Sequence, residues 1–123
     1  MATVAVTEAT FQETVGAGVV LIDFWAAWCG PCHRFAPIFE EASTRHADVV
    51  FAKVDTEAEP AIAELFRIQS IPTLAVIRDG VVLGMQSGVM PGEAIDDIIR
   101  QVKALDMDEV RKTLVDEPAP SPD

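Results

Sequence analysis

Only two cysteines, two histidines and nine lysines and arginines occur among 123 residues, against 20 aspartates and glutamates, and each scarcity excludes a class of function. A formal net charge of −11 repels a phosphate backbone, and without a basic stripe there is no electrostatic footprint for nucleic acid. An anionic membrane surface is disfavoured on the same ground, although acidity by itself also serves solubility. The apolar stretches Val19 to Ile22 and Phe24 to Cys29 are separated by Asp23. Both fall far short of the roughly 20 residues that a membrane-spanning helix needs. Met1 to Glu8 contains no basic region leading into a long apolar run, so it does not read as a secretory signal, and a cytoplasmic location is expected.

With half its residues apolar, the chain is long enough for one compact domain and too short for two. Apolar and turn signals alternate, which predicts strands interleaved with helices in an α/β arrangement around one sheet. Val4 to Val6 reads as a short edge strand. Thr7 offers an N-cap to a helix ending at Val15, before Gly16-Ala17-Gly18. Val19 to Trp25 is almost wholly apolar and reads as a central strand covered on both faces. Beyond Cys29 the spacing of Cys32, Phe35, Ala36, Phe39 and Ala42 lays one apolar stripe along a helix. Pro37 inside that helix deletes a backbone hydrogen bond and is expected to kink it.

Val49 to Val54 predicts a third strand, and Glu59-Pro60 opens a short helix through Phe66. Thr73 to Arg78, Asp79-Gly80 and Val81 to Met85 read as a β-hairpin, because Asp-Gly supplies the positive φ angles of a two-residue turn. A further helix from about Pro91 buries Ile95, Ile98, Ile99, Val102 and Leu105 and turns Asp96, Asp97, Arg100 and Lys103 to water. Past Asp106 the pattern weakens. Met107, Val110 and Leu114 permit one more short helix, and the acidic, proline-rich stretch from Asp116 to Asp123 has too little to bury to order itself.

The chemistry lies in Cys29-Gly30-Pro31-Cys32, which joins the central strand to the helix that follows. A C-x-x-C pair alone is shared by zinc, iron–sulfur and haem sites. Here strand, turn and helix put one sulfur at a helix N-terminus and its partner one turn inside. Disulfide exchange needs an exposed, partly ionised thiol, and Cys29 is placed for it. Unpaired N–H groups of the first turn, such as those of Cys32 and His33, and the helix dipole favour its anion. Such donors bring a thiol from about 8.5 toward neutrality, at about 1.4 kcal/mol per pKa unit. Cys32, three residues on and buried, stands ready to resolve a mixed disulfide but needs a base. Asp23, an ionisable group inside an apolar strand, is the candidate. Burial is expected to raise its pKa so that it takes the Cys32 proton directly or through a water. Zinc wants four ligands, and only His33, adjacent to Cys32, and distant His46 remain, so no metal is expected; nor is a bound cofactor, because the dithiol itself would carry the electrons.

Trp25-Ala26-Ala27-Trp28-Cys29-Gly30-Pro31-Cys32, with Asp23 before it and Pro37, Lys53, Asp55, Ile71-Pro72-Thr73 and Asp79-Gly80 after it, resembles the thioredoxin family from about Thr7 to Leu105. The resemblance implies the thioredoxin fold, a mixed five-stranded sheet flanked by four helices, in a domain of residues 1–105 followed by a partly disordered extension, 106–123. It implies a dithiol–disulfide oxidoreductase that reduces disulfide-containing protein substrates, a monomer re-reduced by a thioredoxin reductase and contributing to electron transport and cell redox homeostasis. Cys29 would be the nucleophile and Cys32 the resolving thiol, with Asp23 the buried acid and Lys53 the amine beside it. Pro72 would be cis and face the disulfide, with Trp28, Gly30, Pro31, Ile71, Gly88 and Val89 completing an apolar docking surface. Where the family usually reads Gly-Ile-Arg-Gly-Ile-Pro-Thr, this chain has Arg67-Ile68-Gln69-Ser70-Ile71-Pro72-Thr73. Both glycines are replaced, which bears on loop conformation and partner choice. His33 stands where lysine is frequent and reads as a surface helix residue, whose positive charge, when protonated, would favour the Cys29 thiolate slightly. Two alternatives compete: a dithiol oxidase or isomerase, which Gly-Pro between the cysteines disfavours, and a non-enzymatic interaction module of the same fold.

Overall fold

In the computed structural model, which describes residues 3–116 and only the backbone of 114–116, five strands form one mixed sheet in the order β1-β3-β2-β4-β5. The strands are β1 (Thr3–Ala5), β2 (Val19–Trp25), β3 (Val50–Asp55), β4 (Thr73–Arg78) and β5 (Val81–Ser87), and the helices α1 (Phe11–Val15), α2 (Gly30–Arg45), α3 (Pro60–Leu65), α4 (Gly92–Ala104) and α5 (Met107–Asp116). β1, β3 and β2 run parallel, and β4 and β5 are antiparallel additions beside β2. The four expected helices are joined by a fifth, α5, because Met107 is buried and anchors the segment after Asp106.

Side chains alternate across β2, and that alternation divides the core. Leu21 joins Phe35, Phe39, Phe51, Leu74, Ile95 and Ile99 on the face covered by α2 and α4. Val20, Ile22 and Phe24 join Phe11, Val54, Ile62, Phe66 and Ile77 on the face of α1 and α3. Each large side chain buried this way contributes roughly 2 kcal/mol of transfer free energy. The same alternation puts Asp23 on the α2 and α4 face, between its register partners Lys53 in β3 and Leu74 in β4.

Several boundaries differ from the sequence expectation. Thr7 does not cap α1; its own N–H donates to Thr10 Oγ1 (3.0 Å), forming a turn that delays the helix to Phe11. β1 starts one residue earlier than expected, where Thr3 pairs with Phe51, and β3 one later, where Val50 pairs with Val20. Leu105 ends outside α4 and is 40% exposed, whereas Ile95, Ile99 and Val102 are buried as expected. Asp96 is half-buried in a junction, accepting from Arg45 Nη2 (3.1 Å) and lying 2.6 Å from His46 Nε2. The hairpin turn is as read, with φ of 52° at Asp79 and 81° at Gly80. Arg67 keeps a φ of 54°, so the backbone there holds a left-handed conformation without glycine.

The end of α4 and the segment after it are both tied to the hairpin. Arg78 Nη1 donates to the carbonyls of Val102 (2.8 Å) and Leu105 (3.0 Å), and Arg111 reaches Asp79 at 3.7 Å. Asp116, expected to be unordered, is the last residue of α5. The expectation for 117–123, and for the Leu114 side chain, lies outside the described residues.

Candidate active site

Cys29 occupies the N-cap of α2 in extended backbone geometry, and its Sγ accepts the Cys32 N–H at 3.2 Å. Pro31 in the first turn has no N–H and suits the start of a helix. The helix therefore begins here with a sulfur in place of the usual cap oxygen. Of the two expected donors only Cys32 serves it, because the His33 N–H goes to the Cys29 carbonyl at 3.3 Å. Cys29 and Cys32 are joined by a disulfide, with their Cα atoms 5.2 Å apart.

The exposure expected of Cys29 is not found in this oxidised form. Cys29 is 3% exposed and Cys32 2%. The cover comes from Ala26 and from partly buried Trp25 and Ile71, packed around the pair. Ile71 belongs to a loop distant in sequence, and its carbonyl oxygen lies 3.7 Å from Cys29 Sγ. The next peptide, Ile71–Pro72, is cis. Gly88, at a φ of 97°, donates its N–H to the Pro72 carbonyl at 2.8 Å and so brings the segment after β5 to the same rim.

Asp23 is fully buried, and neither carboxylate oxygen has a hydrogen-bond partner. Burial pushes its pKa from 3.8 up to about 6, against the smaller opposing pull of the Lys53 ammonium. Lys53 is half-buried, with Nζ 5.1 Å from the centre of the Trp25 ring. A carboxyl poised this close to neutrality can hold or release a proton under ordinary conditions.

The structure brings Cys29, Cys32, Ile71 and Pro72 together and puts Asp23 and Lys53 on adjoining strands of the sheet face that α2 covers. Of the residues expected to form the docking surface, Trp28 is 70% exposed and Val89 41%, and Gly30, Pro31 and Gly88 are also exposed. A shallow groove of about 170 Å³ lies between Trp28 and the segment Ile68 to Ile71; neither cysteine lines it, and it adjoins the pair through Ile71, which packs against both cysteines. A larger cavity, about 510 Å³ and lined by Phe11, Leu65, Phe66 and Val82 among others, likewise contains neither cysteine and lies on the α1 and α3 side. Sequence reasoning gave His33 only a charge role. Its Nε2 lies 2.6 Å from the Ala27 carbonyl oxygen, a contact that depends on loop geometry and leaves no sequence signal.

The sequence model of the family described as Thioredoxin matches residues 2–101. The chain is 49% identical over 118 residues to a Streptomyces coelicolor protein named "Putative thioredoxin 2", covering 95% of this chain and 88% of that one. It is 40% identical over 102 residues to a Staphylococcus haemolyticus thioredoxin, covering 80% and 96%. Among solved structures, a Plasmodium falciparum thioredoxin superposes with a TM-score of 0.73 at 32% identity, covering 80% of this chain and 97% of that one.

Proposed function

Because the chain belongs to the thioredoxin family and is a protein-disulfide reductase, we propose that Cys29 is its nucleophile and Cys32 its resolving thiol. The Cys29 thiolate attacks one sulfur of a substrate disulfide. The other substrate sulfur leaves as a thiolate and takes a proton from water. Asp23 then receives the Cys32 proton, and the Cys32 thiolate attacks Cys29 Sγ, closing the Cys29–Cys32 disulfide and expelling the second substrate thiolate. Two electrons have passed to the substrate. Lys53 tunes Asp23 by its charge. Trp28, Gly30, Pro31, Ile71, Pro72, Gly88 and Val89 form the rim on which substrate docks. The carrying observation is the disulfide itself, capping α2 with Cys29 Sγ on the Cys32 N–H.

The oxidised form returns to the dithiol by exchange with a thioredoxin reductase, so the protein works as an electron carrier in the cytoplasm, as a monomer, and supports cell redox homeostasis. Residues 1–105 form the catalytic domain, with 106–123 as an extension of it.

Insulin reduction by dithiothreitol tests the reading. Cys29→Ser abolishes acceleration, and Cys32→Ser accumulates a covalent mixed disulfide detectable by mass. Undiminished turnover by Cys29→Ser would leave only a binding module. Pro31→His addresses the oxidase alternative: an added donor beside the thiolate stabilises the reduced form and raises the potential, by about 30 mV for each 1.4 kcal/mol. A starting potential well above the roughly −270 mV typical of thioredoxins would favour an oxidase.

A further inference from the structure

Both walls of the groove beside the disulfide are held by side chains that sulfur exchange does not use. On the Trp28 side, His33 Nε2 lies 2.6 Å from the Ala27 carbonyl oxygen. A carbonyl only accepts, so Nε2 carries the hydrogen and donates it. This bond ties the first turn of α2 to the residue before Trp28. The Trp28 ring, being 70% exposed, has little core packing to fix it.

The opposite wall carries a closed ring of hydroxyls. Ser70 Oγ donates to Ser87 Oγ at 2.9 Å, and Thr73 Oγ1 donates to the Ser70 carbonyl at 2.6 Å. With both of those hydrogens committed, the 3.1 Å contact between Ser87 and Thr73 is a donation by Ser87. The ring fastens the segment before Ile71–Pro72 to the end of β5, next to Gly88. A glycine at position 70 would leave the ring open.

We propose that His33 and Ser70 are positioning residues that fix the two walls of this groove for an extended segment of the substrate protein, and so govern docking rather than sulfur chemistry. The inference rests on the reductase reading above and adds the determinants of its protein selectivity. An extended segment laid beside the cis peptide passes between these walls, so loosening either one weakens docking while the cysteines keep their geometry.

The test measures kcat and KM for insulin with dithiothreitol as recycling reductant, alongside exchange with oxidised glutathione, whose short γ-linked tripeptides offer no extended protein segment. His33→Ala raises KM for insulin about fivefold, equivalent to about 1 kcal/mol, with kcat changed less than twofold. His33→Gln, whose amide can donate to the Ala27 carbonyl, recovers most of the loss. Ser70→Ala raises KM about threefold, and the double variant shows the product of the two effects, as separate walls require. Unchanged KM in both single variants overturns the inference. So does an equal loss toward insulin and glutathione, which would place the effect at the sulfurs, or failure of glutamine to rescue. None of these outcomes touches the reductase reading, which stands or falls with Cys29→Ser.

Discussion

Asp23 in β2 and Asp96 in α4 carry the same carboxyl group, and the protein treats them in opposite ways. Asp96 sits half-exposed between Arg45 and His46, and the His46 hydrogen bond, aided by Arg45, holds its pKa below the usual carboxylate value. Asp23 is enclosed with no hydrogen-bond partner, and desolvation raises its pKa to about 6. The first arrangement joins two helices and favours the fold. The second works against the fold wherever the group is ionised. A costly carboxyl on the sheet face that α2 covers suits the proposed role of proton acceptor for the buried Cys32 thiol.

The largest effect expected from breaking this contrast comes from Asp23→Asn. Without the base, resolution of the mixed disulfide slows about 10²-fold, measurable by single-turnover mixing with insulin at pH 7. Stability moves the other way. Asp23 has a folded pKa near 6 against 3.8 for the free group, so the folded state binds the proton more tightly. Wild-type stability therefore declines as pH rises from about 4 to about 6, and the full cost, about 3 kcal/mol, persists above that window. The neutral variant matches wild type near pH 4 and exceeds it by roughly that amount at pH 8 in urea denaturation. Equal stabilities at both pH values would contradict the raised pKa.

Lys53→Met sharpens the contrast by a smaller step. It removes the charge that lowers the Asp23 pKa, so the carboxyl titrates above 6. NMR titration of the Asp23 carboxyl carbon reads this directly, and an unmoved or lower midpoint would refute the coupling. The smallest effect belongs to Asp96→Asn. Its depressed pKa means that its stabilisation is present above the unfolded value and is lost as pH falls through the folded one. For so exposed a group the loss at pH 7 is less than about 1 kcal/mol, with insulin reduction unchanged. A stability gain would show that the bridge is not favourable.

Much of the frame was legible because local chemistry decides it. An apolar run interrupted only by Asp23 forces a central strand with one costly group, and Asp79-Gly80 dictates its turn. Cys29 before Gly30-Pro31 marks a helix start. What escaped depends on contacts distant in sequence. The sequence predicted an exposed Cys29, but Ile71 covers it from a loop that only the fold brings near. Asp96 reads as solvent-facing on a helical wheel until Arg45 and His46 arrive from the end of α2. Thr7 has the right chemistry for a cap, yet Thr10 offers its N–H a competing acceptor. The contact of His33 with Ala27 and the hydroxyl ring at Ser70 are products of loop shape, to which periodicity is blind.

The central claim is that helix geometry makes Cys29 the reactive anion and keeps Cys32 in reserve. Alkylation of the fully reduced protein by iodoacetamide across pH 5 to 10, with the modified site read by mass spectrometry, tests it most directly. Modification confined to Cys29, with a rate inflection near neutrality, is the predicted result. Equal labelling of both cysteines, or an inflection at the value of about 8.5 for free cysteine, would contradict it.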